Sequence, residues 1–575
     1  MYSKKTPQAP PISRGGACNN CKRRKMFSLP LLTSNCLPPS TPPRPSLRAS
    51  QRCDGQRPIC GPCSKSTSLG DCEYAEAGYT HADRLQEQIS VLETRLEQLQ
   101  SGPSSSNQAL ALHDPYAPRS SGMYGYSMML TEKDLMEAIL PHLSQLGFFL
   151  NSSNLFNAYS NPTAIDPAYQ PSSALTASMV LLGAHVSHHF NRNSNITSEI
   201  VEGYLSNAVQ ATSFGLSEPH PHRILHTIQA NILIAQYFFL NNRALKGRWH
   251  VDNAVSLVLS ARLHLIRSGS TSRSAGLPST STSQGGFATQ NAQIWEEGEQ
   301  INAMWTVFGL NCLWSAAEGI PASIAYTTDQ GRIDTPWPLE SGGYNEVTPP
   351  PGLRSSHTVQ RFLSGFRDQA NSLLALYVKG AVLYEQTTMF RQRYVTDGTN
   401  TRSLLAPSTR SYNNAAEFQT FQSSYLSLSN LLTELLNNIP LITPRSQFNQ
   451  QDRILRLLVI HILVRVTIIR LQSTLWVDHP LRRPVLLDMA NGVMDCLSRV
   501  DLDVTMFLDP IIAILLRTTA EVFIETIRES SSRASYSNSA EVQNSSSHLN
   551  QIRIVMARFS DVVPLMASKL LEIGA

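Results

Sequence analysis

Seven of the nine cysteines, at positions 18, 21, 36, 53, 60, 63 and 72, stand within the first 72 residues of a 575-residue chain, and only Cys312 and Cys496 occupy the rest. Thiols crowded into a polar segment do not build a core; they ask for a metal or for disulfides. The opening run MYSKKTPQAPPISRGG has no apolar stretch of the kind that directs secretion, which points to a reducing compartment and so to metal. Two C-x2-C pairs, Cys18-Asn-Asn-Cys21 and Cys60-Gly-Pro-Cys63, each bring two thiolates to one tetrahedral ion, with Cys53 and Cys72 placed to complete each half. Two such pairs and two further cysteines hold two zinc ions when thiolates are shared.

Charge divides along the same line. Residues 1–65 hold twelve Lys or Arg against the single acid Asp54, so the net +4 of the chain is a +11 head on a −7 body. A short basic head predicts a polyanionic partner, most often nucleic acid. Its densest part, Lys22-Arg23-Arg24-Lys25, follows Cys21 directly.

GACNNCKRRKM, then RCDGQRPICGPC and DCEY, resemble the fungal binuclear zinc cluster transcription factors, in which six cysteines bind two zinc ions. The resemblance implies Cys18, Cys21, Cys53, Cys60, Cys63 and Cys72 as the ligands, with Cys18 and Cys60 bridging and Cys36 outside the set. It also implies a short helix after Cys21 lying in the major groove of double-stranded DNA, where Arg24 and Lys25 read a CGG half-site. Lys22, Arg23 and Arg52 are then phosphate contacts or counter-charges to a cluster whose six thiolates exceed the charge of two Zn²⁺. The blander alternative for KRRK is a solvated run or a nuclear import signal alone.

In the family pattern six residues separate the second and third cysteines; here 31 do, and removing Phe27–Gln51 restores six. That segment has six prolines in 25 residues, and its composition predicts extended or disordered chain. Closing a loop of this length costs about 3 kcal/mol, against roughly 10–16 kcal/mol from a structural zinc, so metal binding is expected to survive. Base reading is the more exposed, because Pro30 stops the reading helix. Either the loop projects away from DNA, or the working protein lacks the segment, as it would if an intron had been retained.

Leu85, Ile89, Leu92, Leu96 and Leu99 step by four, three, four and three, the seam of a short coiled coil that predicts a homodimer. The alternative is one amphipathic helix lying on the next domain. A Ser, Gly, Pro and Tyr-rich linker follows, and from Leu130 ten stretches repeat apolar residues every three or four positions with no alternating strand among them. Within this body GRWHVDNAVSLVLSARLHLIRS (Gly247–Ser268), QINAMWTVFGLNCLWSAAEGIPASI (Gln300–Ile324) and IDTPWPLE (Ile333–Glu340) resemble the regulatory domain downstream of many fungal zinc clusters. That resemblance implies an effector or coregulator-binding domain that gates transcription, with no catalytic residues to carry over.

An enzyme reading finds little support. His185 and His189 are one helical turn apart and offer two metal ligands, but no HExxH, GxSxG, GxGxxG or phosphate-binding loop accompanies them, so surface or core-edge histidines are expected. His220 and His222 read as a turn, and Trp249, Trp295, Trp305, Trp314 and Trp337 as core packing. The most apolar stretch, residues 453–471, is broken by Arg456, Arg465 and Arg470, so no membrane span is expected.

The fold class expected is mostly α: a small N-terminal binuclear zinc cluster, a short coiled coil and a large all-α regulatory domain. Its boundaries are a disordered basic N-terminus over 1–17, the cluster over 18–74 with the insertion at 27–51, and the coiled coil over 82–100. A linker over 101–128, the regulatory domain over 130–528, a Ser-rich loop over 529–548 and a C-terminal helix over 549–575 complete the chain. The function expected is a zinc-dependent, nuclear, sequence-specific regulator of genes transcribed by RNA polymerase II, not an enzyme. A zinc-binding interaction protein whose DNA reading the insertion disables is the alternative.

Overall fold

A computed structural model describes residues 130–160, 170–190, 196–269, 286–327, 331–340, 354–394, 415–443, 451–475, 481–532 and 540–574, together with Ser90 and His479. By its internal contacts the chain divides into Met1–Gly122 and Met123–Ala575, and the second unit is the one that follows. The zinc cluster, its basic run and the insertion lie outside the described residues, and of the 82–100 segment only Ser90, in helical backbone, lies within them.

The unit opens with α1 (Glu132–Ile139), started by a reciprocal cap. The Thr131 hydroxyl accepts from the Asp134 amide at 3.2 Å and the Asp134 carboxylate accepts from the Thr131 amide at 2.7 Å. The apolar spacing over 130–147 predicts a single helix, but Pro141 has no amide to donate. The chain tightens instead into a 3-10 turn, Leu140–Leu146, that stops at Gly147 in left-handed backbone (φ 73°).

Next come α2 (Ser152–Ser160), α3 (Ser173–Phe190), α4 (Ser198–Phe214), α5 (Arg223–Leu240), α6 (Ala244–Ser260) and α7 (Gly286–Ala317). Then follow α8 (Thr358–Leu363), α9 (Leu373–Tyr394), α10 (Ala415–Asn438), α11 (Gln451–Gln472), α12 (Arg482–Ser498), α13 (Ile511–Ser532), α14 (Ala540–Arg558) and α15 (Pro564–Gly574). Among the described residues there is no β-strand, only an isolated bridge between Ser268 and Ser355. The mostly helical architecture is the one that the apolar spacing predicts.

In α5 every residue from Leu225 to Leu240 is buried, because helices cover it on all sides: α3, α4, α6 and α7, with α15 at one point. The packing then passes from α7 to α9, from α9 to α11 and from α11 to α12 and α13. At Gly183 on α3 any side chain would fall inside the Leu135 carbonyl of α1, so those two backbones meet at a position that only glycine fits. Trp314 on α7 lies flat on Phe239 of α5, ring centroids 3.6 Å apart.

Several expectations are corrected. The apolar spacing over 361–386 predicts one helix, but the stretch is two, interrupted from Ser364 to Ser372, where Gly365 takes a positive φ of 77°. The Ser-rich 529–548 segment is not loop throughout: α13 runs to Ser532 and α14 begins at Ala540, since serine is tolerated on a helix that buries Leu549, Ile552, Val555 and Met556. The C-terminal helix is likewise two, parted at residues 559–563, and α14 and α15 pack on α13 rather than following a finished domain at 528. Trp249 is 58% exposed, because the buried stripe of α6 runs through Gly247, His250, Val251, Ala254 and Val258 and leaves position 249 on the opposite face. Trp305 and Trp314 are core residues, as the sequence predicts.

Candidate functional site

The IDTPWPLE segment has no regular structure, yet it is fastened at almost every residue. Asp334 is fully buried and accepts from Arg332 Nε at 2.7 Å and Nη2 at 2.6 Å, from the Ser268 hydroxyl, and from the His357 amide at 2.9 Å. Burial raises the Asp334 carboxyl, but these bonds outweigh it and hold the group below the ordinary carboxylate range. Further along, Trp305 Nε1 donates to the Pro336 carbonyl at 2.7 Å and stacks on Trp337, and the Ser372 hydroxyl donates to Pro338 at 2.7 Å. Glu340 ends the run: it accepts from the Leu373 amide at 3.1 Å and pairs with Arg453 of α11 at 3.1 Å. The segment thereby spans α7, the start of α9 and the start of α11.

What it helps to wall is a cavity of about 130 Å3, roomy enough for several waters or an organic molecule, since one water needs roughly 10–15 Å3. Leu339 and Glu340 close one side, and Leu374 and Tyr377 of α9 with Arg456 and Val459 of α11 another. Gln236 of α5 and Asn302, Thr306 and Leu310 of α7 add a third. The chain after the first 3-10 turn supplies Phe148 and Phe149. It is held there by Gln229, whose side-chain oxygen accepts from the Phe149 amide at 2.8 Å and whose nitrogen donates to Gly147 at 3.3 Å. Asp509, just ahead of α13, completes the lining.

Among the unmet polar groups of the lining acceptors outnumber donors, of which one is Arg456 Nε, buried with no hydrogen-bond partner. The side-chain carbonyl oxygens of Gln145, Gln236 and Asn302 are buried and have no hydrogen-bond partner, though an acceptor left so typically costs about 1–3 kcal/mol. Asp509 has one oxygen on the Ile511 amide at 3.0 Å and, among the described residues, no cation within ion-pair distance. Burial pushes its carboxyl up to about 7 and raises the neighbouring Tyr377 phenol, which the Asp509 charge raises further. Arg456 faces Asp452 at 3.6 Å, and Glu340 has Arg453, so Asp509 is the charged group of the lining that lacks an opposite. Among the described residues the lining holds no His, Cys or Lys.

The histidines behave as structural groups. His185 Nε2 is 2.8 Å from the Val562 carbonyl, and its ring meets His189 edge-on at 4.9 Å. Burial brings His185 down to about 4. His220 and His222 do lie at a turn, and His220 packs on His226 with ring centroids 4.6 Å apart. Among the described residues no three His, Cys, Asp or Glu side chains gather as a metal site would need. None of those helices is long and apolar enough to cross a membrane.

None of the residues expected to bind metal, DNA or a second copy is brought together here, since all lie outside the described residues. The cavity, in turn, was not anticipated, because its walls come from segments far apart in the chain. The described residues form an all-α unit with a ligand-sized cavity, walled in part by one tightly fastened irregular segment. Residues 146–476, more than half of the chain, match the family described as fungal specific transcription factor domain, and the chain belongs to that family. All three segments whose resemblance pointed there lie inside the match. The family is one of regulatory domains of transcription factors, not of enzymes. No curated protein and no solved structure matches the chain.

Proposed function

We propose that the chain is a zinc-dependent, sequence-specific DNA-binding regulator of RNA polymerase II genes that acts in the nucleus as a homodimer. The observation that carries the reading is the lock between Cys18-x2-Cys21 and the basic run 22–25, standing ahead of a body from a transcription factor family. Two Zn²⁺ ions bind Cys18, Cys21, Cys53, Cys60, Cys63 and Cys72. Arg24 and Lys25 read CGG base edges, while Lys22, Arg23 and Arg52 hold phosphates. Leu85, Ile89, Leu92, Leu96 and Leu99 join two copies, because one cluster reads too few base pairs to select a site in a genome. Coregulator proteins are reached through the helical body.

A genome-wide occupancy map of the tagged protein tests this. Enrichment at paired CGG half-sites is expected. Recruitment to chromatin with no such sequence beneath it favours the second reading, a zinc-binding interaction protein in which the 27–51 insertion disables base reading.

A further inference from the structure

We propose that the cavity between α5, α7, α9 and α11 is a binding site for a small organic molecule that carries a protonated amine on an apolar body, with the amine directed to Asp509. The argument is one of complementarity. The lining presents three amide oxygens without donors and one carboxyl without a cation, against one donor without an acceptor, Arg456 Nε, so a group that donates hydrogen bonds and brings positive charge answers most of what is unmet. Gln236 is 1% and Gln145 8% exposed, so bulk water does not satisfy them. An anion or a pure acceptor could engage Arg456 Nε, but it would leave the three amide oxygens without donors and face the Asp509 carboxyl. Phe148, Phe149, Leu310, Leu374 and Val459 supply the apolar surface for the rest of the molecule, the usual division of a small-molecule pocket.

An occupant would touch at once the Leu339–Glu340 end of the fastened segment, the first turns of α9 and α11, and the entry to α13. Binding to the folded state alone stabilises it in proportion to ligand concentration, so occupancy is readable as a thermal shift. Every residue named in the lining belongs to the Met123–Ala575 unit.

The test is thermal unfolding of the full chain with phenethylamine and tryptamine, against 3-phenylpropanoate and 2-phenylethanol as the anionic and neutral counterparts of the first. The amines are expected to raise the midpoint in a saturable way at millimolar concentration, and the acid and alcohol to leave it unchanged. Asp509→Asn keeps an acceptor for the Ile511 amide, and should weaken amine binding by about tenfold or more, the worth of one charge-assisted hydrogen bond. Gln236→Met, which retains the volume and removes one orphaned oxygen, should weaken it several-fold and serves as the reporter if Asp509→Asn does not fold. Equal shifts from amine and acid, amine affinity untouched by either variant, or no saturable shift from either amine would each overturn the assignment.

Discussion

The Nε2 of His185, in the middle of α3, sits 2.8 Å from the carbonyl oxygen of Val562, so the last helices of the chain are fastened to one of the first. The family match ends at residue 476, yet α13, α14 and α15 continue the same core, and α15 reaches back to α5. Ending the chain at residue 538 would strip cover from the core and remove Ile552, Met556, Val563 and Met566, all fully buried. At roughly 1.5–3 kcal/mol each, those four side chains rival the roughly 5–15 kcal/mol that holds a typical domain. The truncated chain should lose its cooperative thermal transition; a midpoint within a few degrees of the intact protein would show the tail to be dispensable.

Gly183→Ala places a methyl group inside the Leu135 carbonyl, and backbone cannot swing aside as a side chain can. Separating α1 from α3 should cost about 1–3 kcal/mol, as overpacking in a close-packed core usually does. Chemical denaturation reads the change. Gly203→Ala on α4, where an added methyl meets nothing within 4 Å, is the control and should be neutral or slightly stabilising.

Stability should depend on pH through two opposed sets of buried groups. Asp509 and Glu299 are raised to about 7, both first of all by burial, so from about pH 4 upward the unfolded chain gives up protons that the folded chain keeps, and stability falls until about pH 7. His185 and His250 are lowered to about 4, again by burial. As pH drops below about 6.5 the unfolded chain gains protons that the folded chain refuses, and stability falls in the other direction. Asp509→Asn removes one member of the first set. Its stability relative to the parent should therefore rise between about pH 4 and 7 and level off above; a constant difference across that range would mean that Asp509 titrates normally.

The helices were legible wherever a continuous stripe of large apolar residues marks them, and α11 with its long run from Leu455 to Leu471 is the clearest case. The helix α4 was missed because its buried stripe is thin: Val201, Leu205, Ala208 and Thr212, diluted by Gly203 and small polar residues. A signal was present in Thr197, whose hydroxyl accepts from the Ile200 amide and caps the helix start. Helix α14 was hidden by serine content, which reports loop composition and not backbone state. Of the cavity nothing was read from the sequence; the IDTPWPLE motif, which helps to wall it, stood out only by its resemblance to the regulatory domain. Its chemistry, the uncompensated Asp509 and the three orphaned oxygens, exists only once segments distant in sequence are packed together, and no local pattern encodes that.

At the N-terminal head, Lys25→Ala and Lys22→Ala separate reading from holding. With Phe27–Gln51 deleted, Lys25→Ala should weaken CGG binding by about 1–3 kcal/mol and relax base preference. Lys22→Ala should weaken binding to every duplex and flatten its salt dependence. Fluorescence anisotropy on CGG and scrambled duplexes distinguishes the two. If the intact chain already binds CGG as tightly as the deletion, the loop projects away from DNA and is tolerated.

Changing Leu92 and Leu96 together to Asp would bury like charges in the seam and should convert a dimer to a monomer at micromolar concentration. Sedimentation of the variant against the parent, with and without DNA, gives the answer. A parent that sediments as a monomer in both states and carries one CGG per complex would remove the dimer from the account.

The most direct test of the DNA-binding account is one titration: purified full-length chain against a duplex bearing two CGG half-sites, with zinc counted in the same sample. The account predicts two zinc ions per chain, a count unchanged by Cys36→Ser, and CGG affinity that chelation abolishes and added zinc restores. Fewer than two zincs, or two zincs with CGG and scrambled duplexes bound equally well, would contradict it.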